Sequence, residues 1–242
     1  MTSRSTMASP LALAFKTARS EFNGRFIVPY QSEGIAWMLS RELASGSVKG
    51  GFLCDEMGLG KTAQTVATIL GNRLPRTLIV TPKSIVTQWQ TEITKFAPQL
   101  KVGVYDGIDR ASLNIMEYDV ILAPYSVIFN RKKECNPWNT RLHRYTWDRV
   151  ILDEGHEIRN RRSKTHKAAV ALRAKHRWVL SGTPVYNSMM DFVALCEFLH
   201  IPKRVVQANP QRIQNIYIMR RTKDDVAKHN ERLSLPKCTL KT

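Results

Sequence analysis

A three-layer α/β fold, with a mostly parallel sheet and helices on both faces, is predicted by three observations. Short apolar runs that end in turn residues alternate with segments of helical periodicity through most of the chain. One such run feeds a glycine-punctuated turn closing in Gly60-Lys61-Thr62, and another ends in the adjacent carboxylates Asp153 and Glu154. At 242 residues the chain is long enough for one such domain with a substantial core, or for two small ones. One domain with tails is the reading adopted: a mobile N-terminal arm over 1–24, the domain over 25–225, and an exit segment over 226–242.

The elements follow in order. Met1 to Ser20 carries Arg4, Lys16 and Arg19 and no acid before Glu21, and its apolar core, Leu11 to Phe15, is too short for a secretory signal. An organellar transit peptide is the alternative to a mobile arm. Past Pro29, Ile35, Met38 and Leu39 recur at helical spacing, which puts Gln31 near a helix start. Its amide offers a donor and an acceptor that match an adenine edge, while a plain solvated helix residue is the competing reading. Gly51 to Cys54 then reads as a strand, Asp55 to Thr62 as a phosphate loop, and Ala63 to Leu70, with Val66, Ile69 and Leu70 on one face, as a helix. Gly58 and Gly60 let backbone N–H groups and the helix N-terminus face an anion. Lys61 then reaches β and γ phosphates and the Thr62 hydroxyl ligates Mg²⁺. Asp55 stands where the general pattern has its first glycine, so a strand-to-helix turn with a chance Gly-Lys-Thr is the competing reading.

Gly71 and Pro75 close that element, and Thr77 to Val80 is a buried-strand candidate. Ser84 is the expected N-cap of a helix lined by Ile85, Val86, Trp89 and Ile93. Thr81 and Lys83, in the turn after a strand, stand where open α/β sheets bind ligands, or simply in an ordinary connection. Lys101 to Tyr105 and Tyr118 to Ala123 are further strands. Between Asn130 and Tyr145 the pattern gives way to a basic, aromatic-containing loop, a nucleic-acid contact or a solvated insertion. Trp147 to Leu152 forms the strand that delivers Asp153 and Glu154 to its C-terminal edge. There one carboxylate holds Mg²⁺ and the other orients the attacking water. A basic run (Arg159, Arg161, Arg162, Lys164, Lys167), a helix over 168–174, a strand at Trp178 with the turn Ser181-Gly182-Thr183-Pro184, and a helix marked by Phe192, Leu195, Cys196 and Leu199 complete the alternation.

A formal charge of +17 calls for a polyanionic partner, nucleic acid being the commonest. The four cysteines form no C-x-x-C pair, which argues against a disulfide scaffold or zinc ribbon and for a reducing compartment. No apolar run approaches the ~20 residues needed to span a bilayer, so no membrane partner is expected.

With these residues assembled, the chain resembles the Swi/Snf-like ATPases of helicase superfamily two, in particular the subgroup containing helicase-like transcription factor. Pro29-Tyr30-Gln31 with Gly34 and Trp37 is similar to the adenine-reading motif, and Asp55 to Thr62 to motif I. Leu78 to Lys83 with Trp89 is similar to motif Ia, Asp153-Glu154-Gly155-His156 with Arg159-Asn160 to motif II, and Ser181 to Pro184 with Asn187 to motif III. Met219 to Lys223 and Leu235-Pro236-Lys237 are similar to the exit from a first lobe. The resemblance implies a RecA-like, P-loop NTPase lobe of an ATP-driven motor that tracks along double-stranded DNA, nucleosomal or protein-bound DNA included. It implies a site in which Gln31, Asp55, Glu56, Met57, Gly58, Leu59, Gly60, Lys61 and Thr62 bind ATP. Thr62 and Asp153 hold Mg²⁺, and Lys61, Asp153 and Glu154 carry catalysis. His156, Ser181 and Thr183 couple nucleotide state to DNA, and Thr81 and Lys83 touch the DNA backbone. It further implies a second lobe whose arginines complete the site, a nuclear setting in a eukaryotic host, otherwise cytoplasmic or viral, and no secretion. A catalytically silent nucleic-acid-binding scaffold of the same fold is the alternative, and a small-molecule kinase fits the charge and the Asp-Glu-Gly-His run less well.

Overall fold

The computed structural model describes residues 8–26, 29–129, 140–182 and 188–229. Helices α1 (Pro10–Glu21) and α2 (Tyr30–Leu43) precede strand β1 (Lys49–Leu53), whose end turns into α3 (Lys61–Gly71). Then follow β2 (Thr77–Thr81), α4 (Val86–Phe96), β3 (Val102–Val104), β4 (Val120–Pro124), β5 (Thr146–Leu152), α5 (Lys164–Ala171) and β6 (Arg173–Leu180). The second half closes with α6 (Met189–Phe198), α7 (Lys203–Ala208), α8 (Pro210–Tyr217), a two-residue β7 (Ile218–Met219) and α9 (Lys223–His229).

Among the described residues the seven strands form one sheet in the order β3-β4-β2-β5-β6-β1-β7, and every pairing is parallel. Parallel strands need both faces covered, which is why their inner stretches, Leu78-Ile79-Val80, Val120-Ile121-Leu122-Ala123, Val150-Ile151-Leu152 and Trp178-Val179-Leu180, are continuously apolar. Side-chain alternation then sends Leu53, Ile79, Leu122, Ile151 and Leu180 to one face, under α1 to α4. Phe52, Leu78, Val80, Val150, Leu152 and Val179 go to the other, under α5, α6 and α8. The order places β6 alone between β1 and β5. The turn after β1, the acids after β5 and the turn after β6 therefore emerge side by side along one edge.

Three expectations are corrected. The expected mobile arm over 1–24 is, over Pro10–Glu21, a capped helix: Ser9 accepts from the Ala12 N–H, Pro10 opens the first turn, and Ala14 and Ala18 are buried against α3. Gly71 makes the approach possible, because a Cβ there would lie 2.7 Å from the Ala14 carbonyl oxygen and 3.0 Å from the Ala18 Cβ. Ser84 caps nothing, since a 3-10 turn over Lys83–Ile85 precedes α4 and Ile85 holds the cap position without a side-chain bond. The helix expected over 168–174 ends at Ala171, and Arg173 already belongs to β6, which pairs with β5 from Thr146 onward. Of the exit segment at 226–242, residues from 230 on, Leu235-Pro236-Lys237 included, lie outside the described residues, as does most of the basic loop, 130–139.

Beneath the sheet edge opposite the site, Glu42 and Arg149 form a pair, 1% and 0% exposed. Arg149 Nε and Nη2 donate to the two Glu42 oxygens at 2.6 and 2.5 Å. Trp178 Nε1 (2.9 Å) and Asn72 Nδ2 (2.7 Å) donate to the same carboxylate, and Thr77 Oγ1 and the Asn72 carbonyl take two more guanidinium donors. Burial opposes ionisation of Glu42, but the charge and hydrogen bonds of Arg149 outweigh it and hold the carboxyl below its ordinary range. One ion pair thus joins α2, α3, β2, β5 and β6.

Candidate active site

The loop after β1 is shaped by two glycines in left-handed conformations, Gly58 at φ 93° and Gly60 at φ 74°. Gly60 is the N-cap of α3, so the helix starts at Lys61 with its first N–H groups facing outward. A Cβ at 60 would also lie 2.5 Å from Gln31 Nε2 and would push that amide aside. The adenine candidate and the phosphate loop therefore touch. Lys61 Nζ donates to the Asp55 carbonyl oxygen at 2.7 Å and approaches that of Glu56 at 3.5 Å, folding over its own loop. Burial lowers its pKa, while Asp55, Glu154 and Asp153 act in the opposite direction.

At the end of β5, Asp153 is almost enclosed. Trp89 Nε1 donates to its Oδ2 at 2.7 Å, Thr81 Oγ1 lies 3.4 Å from the same oxygen, and the Glu154 N–H donates to Oδ1 at 2.9 Å. The Tyr125 hydroxyl fixes the Asp153 carbonyl at 2.8 Å. Burial raises the Asp153 pKa against these donors. Glu154 is one of two non-glycine residues with positive φ among those described, at 51°, a conformation that costs about 1–2 kcal/mol and swings its carboxylate out of the line of the strand. From the third neighbouring turn, a Cβ on Gly182 would lie 3.3 Å from Lys61 Nζ.

These elements enclose a cleft of about 520 Å³ lined by Gln31, Met57, Gly58, Gly60, Lys61, Thr62, Asp153 and Glu154. That is ordinary for a small-molecule site. Phe22, Arg25, Trp89 and Phe96 complete its wall, and Phe22 stacks on Phe96 with ring centroids 4.7 Å apart. The aromatic pair was not anticipated, because it depends on α1 docking where an arm was expected.

Other expected site residues stand elsewhere. Asp55, Glu56 and Leu59 build the loop from behind rather than line the cleft: Asp55 is fully buried against Arg221 and Gln64, Glu56 accepts from the Lys223 N–H at 2.8 Å, and Leu59 packs with Tyr30 and Val226. Thr81 is fully buried and braces Asp153, so the expected contact with a DNA backbone is corrected: no surface of Thr81 is left for it. Lys83 is exposed and pairs with Asp106 at 3.1 Å. His156 Nδ1 lies 3.3 Å from Glu154 Oε2. Ser181 is buried, its N–H donating to the Leu53 carbonyl at 3.2 Å, which links the β6 turn to β1. Thr183, Pro184 and Asn187 lie outside the described residues.

The described residues hold no cluster of three or more His, Cys, Asp or Glu able to bind a metal. The start of α3, the lysine, the Thr62 hydroxyl and the acid pair converge on the cleft.

Comparison with known proteins agrees. The model of the SNF2-related domain matches residues 30–209. An uncharacterised ATP-dependent helicase of Schizosaccharomyces pombe is 34% identical over 200 residues, covering 72% of this chain and 19% of the relative. The TATA-binding protein-associated factor mot1 of the same yeast is 34% identical over 190 residues, 70% and 9% of the two chains. DNA repair protein rad5 of Aspergillus fumigatus is 35% identical over 195 residues, 63% and 16%. Among solved structures, the SWI2/SNF2 ATPase core of Sulfolobus solfataricus superposes with a TM-score of 0.72 at 30% identity, covering 98% of this chain and 49% of that one. The same core in complex with double-stranded DNA gives 0.70, also at 30% identity, covering 87% and 47%. The chain thus spans less than a fifth of these curated relatives and about half of the solved core.

Proposed function

Because the chain belongs to the SNF2-related family, we propose that it is the ATP-binding RecA-like lobe of a double-stranded-DNA translocase. The observation that carries this reading is the convergence of Gln31, the phosphate loop and the Asp153–Glu154 pair on one cleft at the C-terminal edge of a parallel sheet.

The residues divide the work by position. Gln31, held against Gly60, meets the base. The N–H groups at the start of α3 and the Lys61 ammonium take the phosphates, the ammonium leaving the Asp55 carbonyl it now caps. Thr62 and Asp153 would hold Mg²⁺, which would supply charge neutralisation to the phosphates. Glu154 orients the attacking water. His156, beside Glu154, and the buried Ser181, tied to β1, pass the state of the site to the lobe's surface. The chain leaves Glu154 directly into Arg159, Arg162, Lys164 and Lys167, all exposed, so DNA phosphates lie over this run, with Lys83 nearby in sequence to another strand end. Arginines from a second lobe complete the transition state, a contribution of roughly 10³ to 10⁵ in rate. The full set of Lys61, Asp153 and Glu154 argues against a silent scaffold, which has no use for it.

Equilibrium titration with a fluorescent ATP analogue and Mg²⁺ tests the reading. Lys61→Ala is expected to weaken binding at least tenfold, and Glu154→Gln to leave it within about threefold, since the glutamate acts on water and not on the nucleotide. Equal binding by the unaltered chain and Lys61→Ala refutes the assignment.

A further inference from the structure

Arg221 is 166 residues from Asp55 in sequence, yet it is the best-connected side chain behind the phosphate loop. Its Nε donates to Asp55 Oδ1 at 3.0 Å and its Nη2 to Asp55 Oδ2, a bidentate fork. Nη2 also donates to Gln64 Oε1 at 2.9 Å, and Nη1 donates to the Tyr30 carbonyl oxygen. The guanidinium carbon lies 5.5 Å from the Tyr30 ring centroid. Gln64 Nε2 closes the set, donating to Asp55 Oδ2 and to the Leu59 carbonyl oxygen, both at 3.1 Å. Three segments therefore meet on one guanidinium: the loop through Asp55, α3 through Gln64, and the start of α2 through Tyr30, the residue before Gln31. Gly34 is what lets them come together, because a Cβ there would lie 1.8 Å from Gln64 Oε1 and 2.7 Å from Arg221 Nη2.

Backbone bonds run along the same line. Cys54 N–H donates to the Met219 carbonyl (2.7 Å), Glu56 N–H to that of Arg221 (2.9 Å), and Lys223 N–H to Glu56 Oε2 (2.8 Å). The segment leaving β7 is zipped onto the back of the loop, with Lys223 Nζ 3.6 Å from where a Gly58 Cβ would stand.

We propose that Arg221 is a positioning residue for the nucleotide: it locks the phosphate loop and the base-reading start of α2 into one unit and ties that unit to the segment that follows β7. This rests on the nucleotide reading of the cleft. Arg221 itself does not line it, so its effect reaches the nucleotide only through Asp55, Gln64 and Tyr30. Two consequences are specific. Loss of the fork loosens the loop, which weakens every nucleotide. It also frees the end of α2 that sets Gln31, which weakens adenine more than guanine. Damage confined to the fold does the first without the second.

The test compares Arg221→Lys and Asp55→Asn with the unaltered chain, measuring affinity for fluorescent ATP and GTP analogues with Mg²⁺, and thermal melting without nucleotide. Lysine keeps the charge and cannot form the fork. Roughly tenfold weaker ATP binding is expected in Arg221→Lys, the size of one lost charged hydrogen bond, with the ATP-over-GTP preference falling toward unity. Asp55→Asn, which keeps the shape and removes the charge, should move both readouts in the same direction by less, and it decides the matter if Arg221→Lys does not fold. Unchanged ATP affinity, or weakened affinity with the base preference intact, overturns the proposal. Failure of the unaltered chain to bind either nucleotide refutes the nucleotide reading itself, and this inference with it.

Discussion

Asp153 shows how one side chain is held among donors from distant segments. Burial raises its pKa, and Trp89 Nε1 at 2.7 Å is the foremost group working the other way, favouring the carboxylate against that burial. Trp89→Phe removes that donor and part of a buried ring. The expected cost is about 2–4 kcal/mol of stability, combining a lost charged hydrogen bond with a small cavity, together with weaker Mg²⁺-dependent nucleotide binding. Urea denaturation and titration with and without Mg²⁺ measure the two, and an unchanged Mg²⁺ requirement contradicts the role given to the indole. Lys61, Thr62, Asp153 and Glu154 were legible in sequence because their chemistry is written in consecutive residues. Trp89 lies 64 residues from Asp153 and Arg221 lies 166 from Asp55. The sequence places Trp89 on a helix face and, by resemblance, in motif Ia, and Arg221 in an exit motif, with nothing to join either to its acid.

At the scale of elements, the Glu42–Arg149 pair pins α2 beneath the sheet. Removing either partner strands the other charge, so Glu42→Leu and Arg149→Met should each destabilise by about 3–5 kcal/mol, and the double variant by less than the sum. Additive losses in urea denaturation rule out coupling of this kind. The sign of the pH effect follows from a folded-state pKa held below the ordinary value. The contribution is complete above the unfolded Glu value of about 4.3 and is lost as pH falls through the lower folded value. In Glu42→Leu the stability profile should therefore lie lower at neutral pH and lose its slope over that acid window. Periodicity located β1 to β6 and α2 to α6, since each buries a face that its own residues declare, and left β7 and α7 to α9 unread. It missed the docking of α1, whose small face of Ala14 and Ala18 carries little apolar signal, and it misplaced the α5–β6 boundary, where pairing with β5 overrides helix-compatible sequence.

For the whole molecule, the formal net charge of +17 and the exposed basic residues beside the strand ends predict that binding of the proposed DNA partner is governed by salt. Neutralising six or more phosphates should lower the affinity about a thousandfold or more between 50 and 200 mM salt. Fluorescence anisotropy with a DNA duplex measures this, and binding that is flat in salt points to a protein partner instead.

Residue order alone was enough for the strand-and-helix alternation, for a phosphate loop at 55–62 and for an acid pair at a strand end, because each is a local pattern of period, glycine and charge. Residue order did not say which residues line the cleft and which brace those that do. Asp55, Glu56, Leu59 and Thr81 proved to be supports, while Phe22 and Phe96 form part of the wall. That division depends on contacts between segments far apart in the chain, made when β6 settles between β1 and β5 and α1 closes over α3. A side chain's job there is set by the direction it is left to point once the sheet is packed on both faces.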